Sequence, residues 1–217
     1  MDGVADIRPT WRGLLHRGSV PVFALAFAVL AGQTPTRDGN RFAVVVYGLG
    51  VLSMFGVSAA YHASAARPSR LSEILQRLDH GTILLAIAGT YTAVTALAVT
   101  GDRRGQLLVG MWVLAVIGIV VQVLIVRAPR WLGAAGYLVV GWFALFDVPA
   151  YLRGTTSAEM AWVVLGGVLY TAGAIVYARK RPNPSPATFG YHEVFHALTV
   201  AAAACHVVAV ALLVSRA

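Results

Sequence analysis

The stretch VVVYGLGVLSMFGVSAAYH, residues 44–62, decides the fold of this chain. It contains no Asp, Glu, Lys or Arg, and it lies in a hydrophobic run over 42–63. A spanning α-helix needs about 20 apolar residues, so this run is long enough to cross a bilayer. Hydrophobic residues make up 58% of the chain and charged residues only 12%, so the composition predicts an integral membrane protein.

Six further hydrophobic runs predict that the chain crosses the membrane seven times. Seven such spans use most of the 217 residues, so we expect one all-α domain over 1–217, a seven-helix bundle with short loops. No small-residue cleavage site follows the first run, which we expect to stay attached. The predicted spans are about 14–33, 42–63, 81–99, 107–126, 132–152, 158–178 and 193–214.

The distribution of basic residues predicts the orientation. The formal net charge is +8, but the Lys and Arg residues lie between the hydrophobic runs without forming a stripe, so we predict no nucleic-acid partner. Six of the 17 lie on one predicted side and eleven on the other, so the positive-inside rule predicts a cytoplasmic N-terminus and an external C-terminus. The eleven are Arg8, Arg12, Arg17, Arg67, Arg70, Arg77, Arg127, Arg130, Arg179, Lys180 and Arg181.

Four ionisable residues share one predicted membrane depth. His62 ends the second span, Asp79 opens the third, and His192 and His196 open the seventh, all at predicted cytoplasmic ends. Ionisable side chains inside a membrane are expensive and mark functional sites. The four can meet at the inner leaflet only if the seventh helix packs beside the second and third.

The spacing of His192 and His196 predicts a metal site. Residues four apart lie on one helix face, with Cβ atoms about 5–6 Å apart. The alternative is that both hydrogen-bond to loop carbonyls; His62 at the same depth favours metal, because three imidazoles plus water form an open zinc site. Asp79 is a candidate both for this site and for a cap of the third helix, and the two roles are not exclusive. Ser58 either shares the His62 face or bonds to its own helix.

The same residues match the H-E-x-x-H pattern of zinc proteases, in which the Glu is the general base. Residues 197–217 contain no Asp or Glu and only His206, so the third ligand must come from upstream, which points to His62. We therefore expect Glu193 to face a loop or a lipid headgroup. His206 lies about 15 Å of helix rise beyond His196, and we expect it to hydrogen-bond inside the bundle.

Two other residues are assigned structural roles. Cys205 is the single cysteine and lies in an alanine run, so we expect a small buried packing residue. Asp147 lies in the fifth span near the opposite face, where solvent access or a partner such as Arg153 explains it better than a channel role.

Four motifs resemble those of bacterial hemolysin III proteins, which belong to the progestin and adipoQ receptor superfamily and are related to alkaline ceramidases. The resemblance spans nearly the whole chain and implies a seven-helix bundle with a cytoplasmic N-terminus in the bacterial inner membrane. It also implies zinc held by His62, His192 and His196, with Asp79 as the acidic residue beside the water and Ser58 as the motif serine. The motifs are Arg8 to His16, Ser58-Ala-Ala-Tyr-His62, Arg77-Leu-Asp79-His80-Gly81 through Ala88-Gly-Thr-Tyr-Thr92, and Tyr191-His-Glu-Val-Phe-His196.

The resemblance leaves three functions open. The first is a zinc-dependent hydrolase that cleaves a lipid amide, with Asp79 handling the proton and Ser58 donating to the oxyanion. The second is a receptor or sensor, without turnover, in which zinc links helices. The third is a pore-forming hemolysin, which the nearly apolar middles of the helices disfavour. In the first two, membrane lipids are the expected substrate or ligand.

Overall fold

The structure, a computed structural model, describes residues 9–65, 69–124 and 130–217, without the side chain of Arg130. Within these ranges the chain is all-α, and seven of its helical segments are long and apolar enough to cross a membrane, which confirms the predicted fold class. The α-helices are α1 Leu14–Gln33, α2 Asn40–Ser64, α3 Arg70–Ala98, α4 Asp102–Leu124, α5 Arg130–Gly141, α6 Val148–Gly154, α7 Ser157–Arg179 and α8 Tyr191–Ser215.

Helix α3 begins about three turns before the start predicted at residue 81. Its N-terminus is capped by Ser69, whose hydroxyl accepts a hydrogen bond from the Ser72 amide at 3.1 Å. The first turns are polar, so hydrophobicity alone did not reveal them. Asp79 therefore lies inside α3, and the interpretation of Asp79 as a helix cap is wrong.

The predicted fifth span is not one continuous α-helix. Helix α5 ends at Gly141, a 3₁₀ segment covers Phe143–Asp147, and α6 follows. Pro149 lies in the first turn of α6, where a missing amide hydrogen does no harm, and the Asp147 side chain accepts from the Ala150 amide at 3.2 Å. The polar backbone groups at the break thus have local partners. The whole segment Trp131–Gly154 is long and apolar enough to cross a membrane once.

Close packing between α2 and α3 sets the register of the functional side chains. A Cβ on Gly50 would lie 2.8 Å from the Leu85 carbonyl oxygen, and one on Gly89 would lie 3.0 Å from the Val46 carbonyl oxygen. Small residues let membrane helices approach at such distances. Because α2 and α3 are antiparallel, the same register, continued for two turns toward the C-terminal end of α2, places Ser58 opposite Asp79.

Helix α8 packs against α1, α3 and α7, which makes it central to the bundle. Many large apolar side chains, such as Leu25, Phe42 and Val109, are exposed on the outer surface, as lipid contact requires. Arg8, Arg67 and Arg127, which contribute to the predicted orientation, lie outside the described residues. The orientation of the termini stays a prediction.

Candidate metal centre

Three histidines predicted as metal ligands meet at one end of the bundle. His62 is near the C-terminal end of α2, and His192 and His196 are in the first turns of α8. The Nε2 atoms of His62 and His192 are 3.2 Å apart, and the three residues offer nitrogens that all lie within 4.8 Å of one another. His62 and His196 are buried and His192 is half-buried. These three side chains could hold a metal ion.

The local geometry follows from the helical spacing. The rings of His192 and His196 have centroids 4.5 Å apart, as expected for residues one turn apart on one face. The His62 ring lies 5.0 Å from that of His192 and 5.1 Å from that of His196. One histidine from α2 therefore completes a pair supplied by α8.

Ser58 and Asp79 lie on the same cavity as the three histidines. Ser58 is buried, one turn before His62, and its side chain lies next to the Asp79 carboxyl group. Its side chain therefore lies beside α3, and the two alternatives for its hydroxyl stay predictions. A carboxyl group and a hydroxyl group are in place beside the histidine cluster.

The cavity has a volume of about 930 Å³ and runs from the histidines into the bundle. Its volume lies within the range of roughly 300–1,000 Å³ found for small-molecule sites. The lining combines apolar side chains with hydroxyl groups and aromatic rings, and reaches as far as His206 on α8. Lining residues of this inner part include Tyr137, Trp142, Tyr170, Thr171 and Thr199.

Glu193 faces loop segments and not a lipid headgroup, which confirms the first of the two predicted alternatives. It is 1% exposed, and its Oε1 accepts a hydrogen bond from the Arg12 guanidinium at 2.6 Å. Its Oε2 accepts from the Gly190 amide at 2.9 Å, which satisfies the start of α8. Oε1 therefore holds α8 to the segment before α1 and Oε2 caps the start of α8 itself, which argues against a general base of the H-E-x-x-H kind.

The remaining predictions concern residues away from the histidines. The ring nitrogen Nε2 of His206 lies 3.1 Å from the Val163 carbonyl oxygen, so the predicted hydrogen bond inside the bundle is confirmed. Cys205 is buried, as predicted. Asp147 has a basic partner, as predicted, but its ion pair is with Arg103 near the start of α4 and not with Arg153.

Sequence reasoning missed a fourth histidine at the site. His16, in the first turn of α1, is 3% exposed and stacks flat on His196, with ring centroids 3.8 Å apart and planes 4° apart. A single histidine before an apolar run has no second histidine at helical spacing, so the sequence pattern does not indicate a metal ligand there. The available signal was its place at the end of the Arg8 to His16 motif.

The fold and the site define a class: integral membrane proteins of seven spanning helices with a histidine cluster at one end of the bundle. The profile of the haemolysin-III-related family matches residues 5–207, and the chain belongs to this family.

Individual relatives agree with this assignment. The chain is 29% identical to a protein named hemolysin-3 homolog from Bacillus subtilis, over 75% of each chain. It is 30% identical to hemolysin-3 of Bacillus cereus, over 65% of each. It is 25% identical to the adiponectin receptor protein of Drosophila melanogaster, over 75% of this chain and 41% of that protein. The last match supports the wider progestin and adipoQ receptor superfamily.

Proposed function

We propose that this protein is a zinc-dependent hydrolase that cleaves an amide bond of a membrane lipid at the inner leaflet of the bacterial plasma membrane. The observation that carries the proposal is the arrangement of three imidazoles, the Asp79 carboxyl group and the Ser58 hydroxyl group on one cavity of about 930 Å³. A structural metal site would need the imidazoles but neither of the other two groups.

The donor set fits zinc. Two nitrogens bound to tetrahedral zinc at about 2.0–2.1 Å are separated by roughly 3.3 Å. The Nε2 atoms of His62 and His192 are 3.2 Å apart, close to that value. When bound, zinc would supply Lewis-acid chemistry, activating water and polarising a carbonyl group.

Asp79 and Ser58 have complementary roles in this proposal. The Asp79 carboxylate accepts a proton from the attacking water and returns it to the nitrogen of the leaving amine, so the proton count balances. In this proposal the Ser58 hydroxyl, which lies next to Asp79, orients the carboxylate and turns to donate to the developing oxyanion. The α2 and α3 contact holds the two groups together.

The surroundings of the site favour a lipid as substrate. The cavity lies inside a bundle whose outer surface is apolar, and its inner part passes between membrane-spanning helices. An amphiphile can place its acyl chain among these helices while its polar amide stays near the histidines. The predicted orientation would put that amide at the cytoplasmic leaflet.

One similarity favours a second candidate, a receptor or sensor in which zinc links α2 to α8. The Drosophila melanogaster relative is named an adiponectin receptor protein. Such a protein needs no turnover, and its Asp79 would have no proton to transfer. Lipid-amide hydrolysis therefore separates the two candidates.

The test compares Asp79→Asn with Glu73→Gln, a matched loss of one carboxylate at an exposed position of the same helix. Purified proteins are incubated in detergent micelles with a panel of N-acyl lipids, and the released fatty acid is measured by mass spectrometry. We expect Asp79→Asn to retain zinc and lose about 10²–10⁴-fold in rate, while Glu73→Gln keeps the wild-type rate. A zinc-loaded wild type that cleaves no member of the panel would favour the receptor and contradict the hydrolase.

A further inference from the structure

The segment Pro9–His16, here called the N-terminal strap, lies across the histidine cluster. Its backbone is fixed to the loop before α8: the Thr10 amide donates to the Ala187 carbonyl oxygen at 3.1 Å and the Trp11 amide to that of Thr188 at 3.2 Å. The Trp11 ring also packs edge-on against Phe189, with centroids 5.9 Å apart. The strap is therefore packed and hydrogen-bonded against the bundle.

Gly13 brings the strap backbone directly onto His62. Its φ of 80° lies in the left-handed region, where a side chain is strained. A Cβ at this position would lie only 2.7 Å from the Cβ of His62. Any larger residue would push the strap away from His62 or His62 away from its present position.

The His16 ring stacks face to face on the His196 ring. Its ring is also in tilted contact with Phe55, at a centroid distance of 4.9 Å. Neither ring nitrogen has a hydrogen-bond partner within the part of the chain that the structure describes. A buried polar group without a partner is destabilising. The flat contact with His196 is thus the main interaction of this ring.

The third contact of the strap reaches the same short stretch of α8. Arg12 binds Glu193, which follows His192 directly and lies three residues before His196. The strap consequently touches α2 at His62 and α8 at both Glu193 and His196. It links the two helices that supply the candidate ligands.

We propose that Gly13 and His16 are positioning residues of the metal centre: Gly13 lets the strap seat against His62, and the His16 ring holds the His196 ring in the orientation that presents its nitrogen to the metal. This inference rests on the proposed metal site. A ligand ring that is held by its neighbours loses less freedom when it binds, so contacts of this kind raise metal affinity. Neither residue contributes a ligand atom.

The test uses matched variants in detergent-purified protein. Gly13→Ala is compared with Gly39→Ala, because Gly39 has a similar φ of 73° but nothing within 4 Å of a Cβ. His16→Ala is compared with His16→Phe, which keeps a flat ring without nitrogens. Zinc affinity is measured by competition with a chromogenic chelator, and the visible spectrum of the cobalt-substituted protein reports the ligand geometry.

We expect Gly13→Ala and His16→Ala to weaken zinc binding about 10–100-fold and to shift the cobalt spectrum. Gly39→Ala and His16→Phe should stay within about threefold of the wild type, with its spectrum. Size-exclusion profiles of the metal-free proteins check folding. If Gly13→Ala does not fold, the His16 pair still decides, because alanine is favourable in a helix.

Different failures have different meanings. Wild-type protein that binds no zinc would overturn the metal site and this inference with it. Wild-type protein that binds zinc, with Gly13→Ala and His16→Ala indistinguishable from Gly39→Ala, would overturn the inference alone. An affinity of His16→Phe as low as that of His16→Ala would contradict positioning by ring stacking.

Discussion

The Nε2 atoms of His62 and His192 lie 3.2 Å apart, although 130 positions separate the two residues in the chain. This contact joins the end of α2 to the start of α8. Helix α1 packs against both helices, and the N-terminal strap contacts the loop before α8 and, at Gly13, His62. The candidate chemistry therefore depends on the tertiary packing of at least three helices.

Replacing Arg12 with Ala should lower stability, because it leaves the buried Glu193 carboxylate without its charged partner. Hydrogen bonds to charged groups contribute about 1.5–3 kcal/mol, and we expect a loss at the lower end because Arg12 is partly exposed. Thermal unfolding in detergent measures it. The double variant Arg12→Ala/Glu193→Gln should recover part of the loss; equal stability of wild type and Arg12→Ala would refute the role of this pair.

Glu193→Gln should lower lipid hydrolysis far less than Asp79→Asn does, because Glu193 has a structural role and Asp79 handles the proton. The rate of fatty-acid release is compared with that of Asp79→Asn. In a protease of the H-E-x-x-H kind the two results would be exchanged. Loss of activity in Glu193→Gln with full activity in Asp79→Asn is the pattern that the mechanism forbids.

Gly50→Ala should destabilise the bundle, because its Cβ would lie 2.8 Å from the Leu85 carbonyl oxygen. Overpacking of this kind costs about 1–3 kcal/mol. Gly56→Ala is the matched control, since Gly56 is also in α2 and has nothing within 4 Å of a Cβ. Unfolding temperatures of the two variants are compared; a Gly50→Ala protein as stable as Gly56→Ala would contradict the close α2 and α3 contact.

The predicted orientation can be tested by labelling single cysteines introduced into a Cys205→Ser background, which has no other thiol. Ala158 and Ala187 are exposed and lie at opposite ends of α7 and the loop that follows it. In intact cells, a cysteine at 158 should react with a membrane-impermeant maleimide, and one at 187 only after permeabilisation. The reverse labelling pattern would place the histidine end of the bundle outside.

Sequence patterns predicted the seven spans because each is a long run of apolar residues, and that signal is independent of packing. They also brought together His62, His192 and His196, since helical spacing and shared membrane depth are readable from the chain. The start of α3 was missed because its first turns are polar and extend beyond the apolar run. The break before α6 depends on Pro149 and the Asp147 cap within an otherwise apolar stretch.

The contacts of the N-terminal strap could not be predicted from the sequence. His16 and His196 are 180 positions apart, and nothing in the spacing of either residue points to the other. The partner of Glu193 was missed for the same reason, because Arg12 precedes α1 and its side chain crosses to α8. Such pairs arise only when the bundle closes.

The measurement that tests the metal centre most directly is the zinc content of the purified protein by elemental analysis. Three histidines whose nitrogens lie within 4.8 Å of one another should hold about one zinc per chain. His206→Ala, a histidine replacement on the same helix outside the cluster, should keep that zinc, and the double variant His192→Ala/His196→Ala should lose it. A double variant that retains stoichiometric zinc, or a wild type that contains none, would contradict the account.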